Sequence, residues 1–164
     1  MKSKKYLWIV AIIVILTIID QIIKGQICNH LYNSSMNVIN GVLNLTYVEN
    51  KGIAFGFEIG SRIVLIIINL LIIAILANFI ICKKEQIDKL ILTSLSLILA
   101  GGTSNLFDRI IRGFVVDYID INLLIKFAVF NFADMCVVIG IIIIAIKIMI
   151  DTLKQEQKGN NERI

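Results

Sequence analysis

Residues 63–82 read IVLIIINLLIIAILANFIIC, a run of 20 in which only Asn69 and Asn78 are polar. At about 1.5 Å of rise per residue, a helix of that length just crosses a hydrocarbon core of about 30 Å. Lipid offers no water to backbone N–H and C=O groups, so such a run has to be helical. Three further apolar blocks cover about 6–23, 90–107 and 132–150, and the chain has no proline to interrupt them. With 17% charged residues the chain also departs from soluble domains, which carry about a quarter. The expected fold is an all-α integral membrane protein, one membrane-embedded domain over 1–164 with four transmembrane helices.

Charge sets the expected orientation. Lys2, Lys4 and Lys5 precede the first block; Lys83, Lys84 and Lys89 separate the second and third; Lys147, Lys154, Lys158 and Arg163 close the chain. Basic clusters mark cytoplasmic ends. Both termini are therefore expected in the cytoplasm, with segments 25–62 and 109–131 outside the cell (plasma) membrane. Those segments hold fewer cations: Lys51, Arg62, Arg109, Arg112 and Lys126, with Lys24 beside them. No basic stripe with interleaved aromatics points to nucleic acid. The head MKSKK imitates a signal peptide, but Asp20, Gln21 and Lys24 follow it in place of a small-x-small cleavage site, so a retained helix is expected. Cys28, Cys82 and Cys136 are widely spaced and read as small apolar fillers.

Between the blocks the pattern changes. Asn29, His30, Asn33, Ser34, Ser35, Asn37 and Asn40 make 25–40 turn-like. Residues 42–48, VLNLTYV, read as a strand leading into ENKGIAFGF at 49–57, where Gly52 and Gly56 loosen the backbone. A small extracytoplasmic β-cradle is expected there. The third block is rich in Thr93, Ser94, Ser96, Ala100, Gly101, Gly102 and Ser104, residues that let membrane helices approach closely.

The chemistry concentrates in residues 115–134, VVDYIDINLLIKFAVFNFAD, with Asp117 near one end and Asp134 at the other, 17 residues apart. An acid beside a membrane-type run is expensive to place and so a functional candidate. Asp134 lies about 16 residues from the inner end of its block, roughly 24 Å, which puts it at the outer boundary. Asp20, Lys24, Asn50, Asp108 and Arg109 reach the same depth. His30 stands in a loop with no acid to orient it; no nucleophile elbow, H-E-x-x-H or Cys/His cluster is present. Two close carboxylates share a proton: one takes a proton from water while the other donates to a carbonyl, and no metal or cofactor is needed. Each acid also has a structural reading. Asp134 or Asn131 could cap a helix, Asp117 and Asp120 could be solvated strand residues, Asp108 could pair with Arg109, and Asp20 could pair with Lys24. The alternatives are a small proton-coupled transporter, whose acids belong near the midplane, and a non-catalytic assembly subunit.

At these residues the sequence resembles the lipoprotein signal peptidase family (signal peptidase II), and the likeness spans the whole chain. Asp20-Gln21-Ile22-Ile23-Lys24 resembles D-Q-x-x-K, and Asn50 to Gly56 resembles N-x-G-x-A-F-G. Gly101 to Arg109 resembles G-G-x-x-G-N-x-x-D-R, Val115 to Tyr118 resembles V-V-D-F, and Phe130 to Asp134 resembles F-N-x-A-D. The resemblance implies that Asp117 and Asp134 are a catalytic pair. It implies that Asn50, Asn105, Arg109 and Asn131 support them or the substrate, with Asp20 and Asp108 as further polar members; Lys24 and Gly52 fall in the same motifs. It implies a diacylglyceryl-modified prolipoprotein substrate cut just before its lipidated cysteine, and inhibition by globomycin-type cyclic peptides. Acyl chains tether such a substrate at the membrane boundary, the depth of the acids, so membrane lipid is a partner. Segment 25–62 is expected to cover the site, and a monomer to suffice. Two departures stand out: Ser104 in place of glycine, expected to adjust helix packing, and Tyr118 in place of phenylalanine. Neither is expected to touch an acid.

Overall fold

A computed structural model describes residues 2–52, 62–83, 85–122 and 127–161, without the side chains of 2–6 and 158–161. Among these, four helices and three strands follow in the order α1 (Lys2–Leu31), β1 (Ser35–Ile39), β2 (Leu43–Asn50), α2 (Arg62–Lys83), α3 (Lys89–Ile111), β3 (Val115–Ile121) and α4 (Phe132–Asn161). All four helices are long and apolar enough to cross a membrane. The expected architecture is therefore present, a multi-pass helical protein with a small sheet at one end of the helices. Residues 53–57 of the ENKGIAFGF segment, Lys84 and Lys126 lie outside the described residues.

The third block forms the hub. More than half of the α3 span is buried, against less than a fifth of each other span, because α3 touches α1, α2 and α4. Its small residues make this possible. A Cβ at Gly101 would fall inside the envelope of the Ala133 carbonyl oxygen and 2.7 Å from Val137 Cγ2, whereas one at Gly102 would meet Asn69 Oδ1 and Ile73 Cγ1 at an ordinary 3.6 Å. Gly101→Ala should therefore push α3 off α4 at a cost of about 1–3 kcal/mol, a loss of roughly 2–10 °C in melting temperature. Gly102→Ala should match or slightly exceed the parent, because alanine is the better helix former. Equal melting of the two variants would contradict this packing.

α2 is the loosest member, with only Leu65 and Ile80 buried. Polar latches hold it to α3. Asn69 Nδ2 donates to Gly102 O at 3.1 Å, and Arg62 donates to the carbonyls of Arg109 and Ile110, each at 2.6 Å. A cation opening α2 opposes that helix's own dipole, but here it satisfies the last carbonyls of α3.

Three helices outrun their expected ends, α3 by one turn to Ile111. α1 continues through 25–31, read above as turn-like, because Ile27, Cys28 and Leu31 pack with Val116 and Tyr118 of β3. It stops where Asn33 takes a left-handed conformation, φ 56°. α4 continues past Ile150, where Lys147 pairs with Asp151 one turn on at 2.7 Å and good helix formers follow. The strand expected over 42–48 is β2. It lies between β1 and β3 in an antiparallel sheet, with Val48 opposite Asp117 and Asn50 opposite Val115. Cys136 is buried and Cys28 half-buried, as fillers would be, but Cys82 is exposed on α2.

Candidate active site

β3 delivers the first acid. Alternation along a strand sends successive side chains to opposite faces. Val116 and Tyr118 join the apolar cluster against α1, and Val115 and Asp117 line a cavity on the other face. α4 delivers the second acid. Asn131 precedes its first turn, and Asp134 N donates to Asn131 Oδ1 at 2.9 Å while Asn131 N donates back to Asp134 Oδ2 at 3.1 Å. This reciprocal capping box fixes both the helix start and the aim of the acid, and a cap of this kind contributes about 1 kcal/mol. A carboxylate in that first turn also suits the positive end of the helix. Asn131 and Asp134, each considered as the cap, thus share the task.

Asn131 joins the two acids. With Oδ1 committed to Asp134 N, its Nδ2 turns to Asp117 Oδ1 at 2.7 Å. Asn50 Nδ2 donates to Asp117 Oδ2 at 2.8 Å, and Asn105 Nδ2 donates to Asp134 Oδ1 at 2.7 Å. Every carboxylate oxygen of the pair therefore receives one N–H, three from asparagine side chains and one from backbone. Burial first, and then the charge of Asp134, push the Asp117 carboxyl up to about 6, against the hydrogen bonds from Asn50 and Asn131.

A charged layer behind the asparagines sets the orientation of Asn105. Lys24 is wholly buried and directs its ammonium to Asp20 Oδ2, Asp108 Oδ2 and Asn105 Oδ1, each at 2.8 Å. A buried ammonium is tolerable only when its donors are all met. Lysine can only donate, so Asn105 must present its oxygen to Lys24 and its Nδ2 to Asp134. The two acids on Lys24 then reach the backbone. Asp20 Oδ1 accepts from Ala133 N at 3.0 Å, and Asp108 Oδ2 accepts from Val116 N at 3.3 Å. Ala133 immediately precedes Asp134 and Val116 immediately precedes Asp117. One lysine thus holds, through two carboxylates, the backbone beside each member of the pair.

The structure brings all ten residues singled out from the sequence to this end of the helices. The i,i+4 pair of Asp20 and Lys24 forms as expected. The Asp108–Arg109 pair does not: Asp108 meets Lys24 and Arg112, while Arg109 donates to Asn105 O and to Gly52 O, both at 3.3 Å. Adjacent helix residues point to different faces, and Asp108 and Arg112, four apart, share one. Gly52 is buried at the cavity edge, its N–H on Asn50 Oδ1 at 3.0 Å. His30 is exposed on α1 with its ring against Gln26 O, and Asp120 accepts from Thr46 on the neighbouring strand.

Three members of the network, Gln21, Ser104 and Arg112, were not among the site residues read from the sequence. Gln21 donates to Ser104 Oγ and Asp108 Oδ1 and accepts from Arg112. Ser104 Oγ donates to Asp20 Oδ2 at 2.6 Å, which corrects the expectation that this departure touches no acid. The available signal was spacing: Ser104, Asp108 and Arg112, the last at the C-cap of α3, recur every fourth residue along one face.

Both acids, with Asn50, Gly52, Asn105 and Arg109, line a cavity of about 890 Å³ whose remaining wall is apolar, with residues such as Val115, Val129 and Phe130, except for Glu49 and Lys51. An apolar groove of about 280 Å³ between α2, α3 and α4 meets it at Asn105, Arg109 and Val137. The pair therefore faces a mostly apolar space large enough for an extended segment.

The family model for signal peptidase (SPase) II matches residues 12–150. A lipoprotein signal peptidase of Buchnera aphidicola is 42% identical over 148 residues, 87% of this chain and 91% of that protein. That of Staphylococcus aureus is 36% identical over 151 residues, 91% and 92% of the two chains, and that of Caldicellulosiruptor bescii is 37% identical over 132 residues, 80% and 84%. A bacterial membrane enzyme structure determined by the in meso method at 2.3 Å superposes with a TM-score of 0.80 at 36% identity, covering 88% of each chain. Another, at 1.9 Å, gives 0.77 at 35%, covering 85% of this chain and 91% of that one. By family model, by relatives and by fold, this chain belongs to the signal peptidase II family of lipoprotein signal peptidases.

Proposed function

We propose that the chain is an aspartic endopeptidase, one membrane-embedded unit over 1–164, that removes signal peptides from diacylglyceryl-modified prolipoproteins just before the lipidated cysteine. The observation that carries the reading is the cradle around Asp117 and Asp134: two buried acids, tied through one asparagine, open on a common cavity. Two close carboxyls do not both ionise easily, so the working form of the pair carries one proton between them. The ionised member takes a proton from water as the water oxygen attacks the scissile carbonyl carbon. The protonated member donates to the carbonyl oxygen, giving a tetrahedral diol. Collapse of the diol breaks the C–N bond: one diol hydroxyl returns its proton to the acid that donated to the carbonyl, and the leaving nitrogen takes a proton from the acid that collected it from water. Asn50, Asn105 and Asn131 keep each carboxyl aimed through these exchanges, and Arg109 and Gly52 form the polar rim for the peptide backbone.

The apolar cavity and groove suit a signal segment and acyl chains, and a globomycin-type cyclic peptide would compete for the same space. Basic clusters at the helix ends away from the sheet favour cytoplasmic termini and a site on the extracytoplasmic face of the cell membrane. A monomer contains the whole network. Residues 53–61, part of the expected cover, lie outside the described residues. Membership in a peptidase family leaves the proton-coupled transporter reading without support.

The test is cleavage by purified protein in lipid nanodiscs. A diacylated prolipoprotein should lose its signal peptide, and the product should begin with the lipidated cysteine. The same precursor without its diacylglyceryl group should stay intact. Equal cleavage of both would reject lipid-directed recognition.

A further inference from the structure

The first turn of any helix leaves four backbone N–H groups without helical partners. In α4 each finds an acceptor. Asp134 N goes to Asn131 Oδ1 at 2.9 Å and Asn131 N to Asp134 Oδ2 at 3.1 Å. Ala133 N reaches Asp20 Oδ1 on α1 at 3.0 Å, and Phe132 N reaches the Tyr118 hydroxyl on β3 at 3.2 Å. Asp20 is free to aim Oδ1 at Ala133 because Oδ2 is held by Lys24 at 2.8 Å and by Ser104 Oγ at 2.6 Å. Two hydroxyls thus serve this one turn, Tyr118 directly and Ser104 through Asp20. They belong to the two residues at which the sequence departs from the motifs it resembles. Ser104 is fully buried and Tyr118 nearly so, which makes an unmatched hydroxyl costly and a matched one directional.

We propose that Tyr118 and Ser104 are positioning residues for Asp134. Tyr118 follows Asp117 in the strand, and Phe132 lies two residues before Asp134. The hydroxyl therefore links the backbone of one acid to the backbone of the other and sets their separation. Ser104 keeps Asp20 turned toward the N–H beside Asp134. Removing either hydroxyl lets the first turn of α4 shift, so the pair no longer flanks a single water. The inference rests on the Asp117–Asp134 reading above.

The test compares Tyr118→Phe, Ser104→Ala and the double variant with Ser96→Ala, a buried hydroxyl on the same helix that only returns to Leu92 O. Cleavage of a diacylated prolipoprotein and thermal unfolding are followed for each. A shift of about 1 Å at a reacting group can cost as much as a hundredfold, so loss of one anchor among several should lower kcat about three- to tenfold with KM within about twofold. The double variant should lose less than the product of the single losses, because both hydroxyls hold one turn. Ser96→Ala should keep the parent kcat whatever its melting temperature. The proposal is overturned if kcat stays within twofold of the parent in all three variants, if the loss falls on KM, or if Ser96→Ala loses as much. Should Ser104→Ala not fold, Tyr118→Phe alone carries the comparison. Asp134→Asn is assayed alongside: if it still cleaves, the reading of the pair has failed. If it is inactive while the hydroxyl variants match the parent, only this inference has failed.

Discussion

Asp117→Asn and Asp134→Asn should each lower cleavage of a diacylated prolipoprotein by at least about 10³-fold, because proton transfer by a positioned acid or base contributes about 10²–10⁴ and the pair supplies both. An amide neither takes a proton from water nor gives one to a carbonyl. The change is close to isosteric, so folded protein should accumulate in both cases, and persistent turnover by either variant would reject the pair. Asp117→Asn should also leave a mark on stability. The Asp117 carboxyl sits at about 6, above its ordinary 3.8, so the folded state keeps a proton that the unfolded chain gives up. That stabilisation is complete below about pH 4 and is lost as pH rises through about 6, a swing of about 3 kcal/mol. The melting temperature of the parent should therefore fall relative to that of Asp117→Asn between pH 4 and pH 7. The new amide adds only a constant offset. Parallel pH curves would show that this carboxyl is not held protonated by its burial and by Asp134.

Lys24→Met should destabilise the protein by about 3–5 kcal/mol and abolish cleavage, the usual consequence of removing one partner from a buried ion cluster. Methionine keeps an unbranched chain of similar volume, so the effect belongs to the charge. Asp20 and Asp108, both buried, would lose the cation between them, and Asn105 would lose the donor that keeps its Nδ2 on Asp134. Adding Asp20→Asn should recover part of the lost stability, because Asp20 is the acid left without a cation while Asp108 keeps Arg112. It should not recover activity, because Asn105 remains unoriented. Thermal unfolding and turnover read the two effects separately. A Lys24→Met protein that melts with the parent would mean that Lys24 does not carry the network.

The local patterns held up best. Four apolar runs became four spans because a backbone in lipid must satisfy its own hydrogen bonds, whatever its neighbours. The Asp20–Lys24 pair was readable because residues four apart share a helix face. The same rule could have exposed Ser104, Asp108 and Arg112, but the adjacent Asp108 and Arg109 drew the eye to a pairing that helix geometry disfavours. The end of α1 was not readable, since the polar residues of 25–31 say turn until Val116 and Tyr118, nearly 90 positions on, supply an apolar surface to pack against.

By itself the sequence determined the number of spans, the end at which the polar residues collect and, through five motifs, the family. The first two follow from hydrophobicity and spacing along one chain, and the family follows from the resemblance of its motifs. Only the tertiary structure decided which acid each ammonium and amide serves. The bonds from Lys24 to Asn105, Ser104 to Asp20 and Ala133 to Asp20 join residues 81 to 113 positions apart. A buried donor takes whichever acceptor the packing of α1, α3, α4 and β3 brings within reach, and no local pattern encodes that choice.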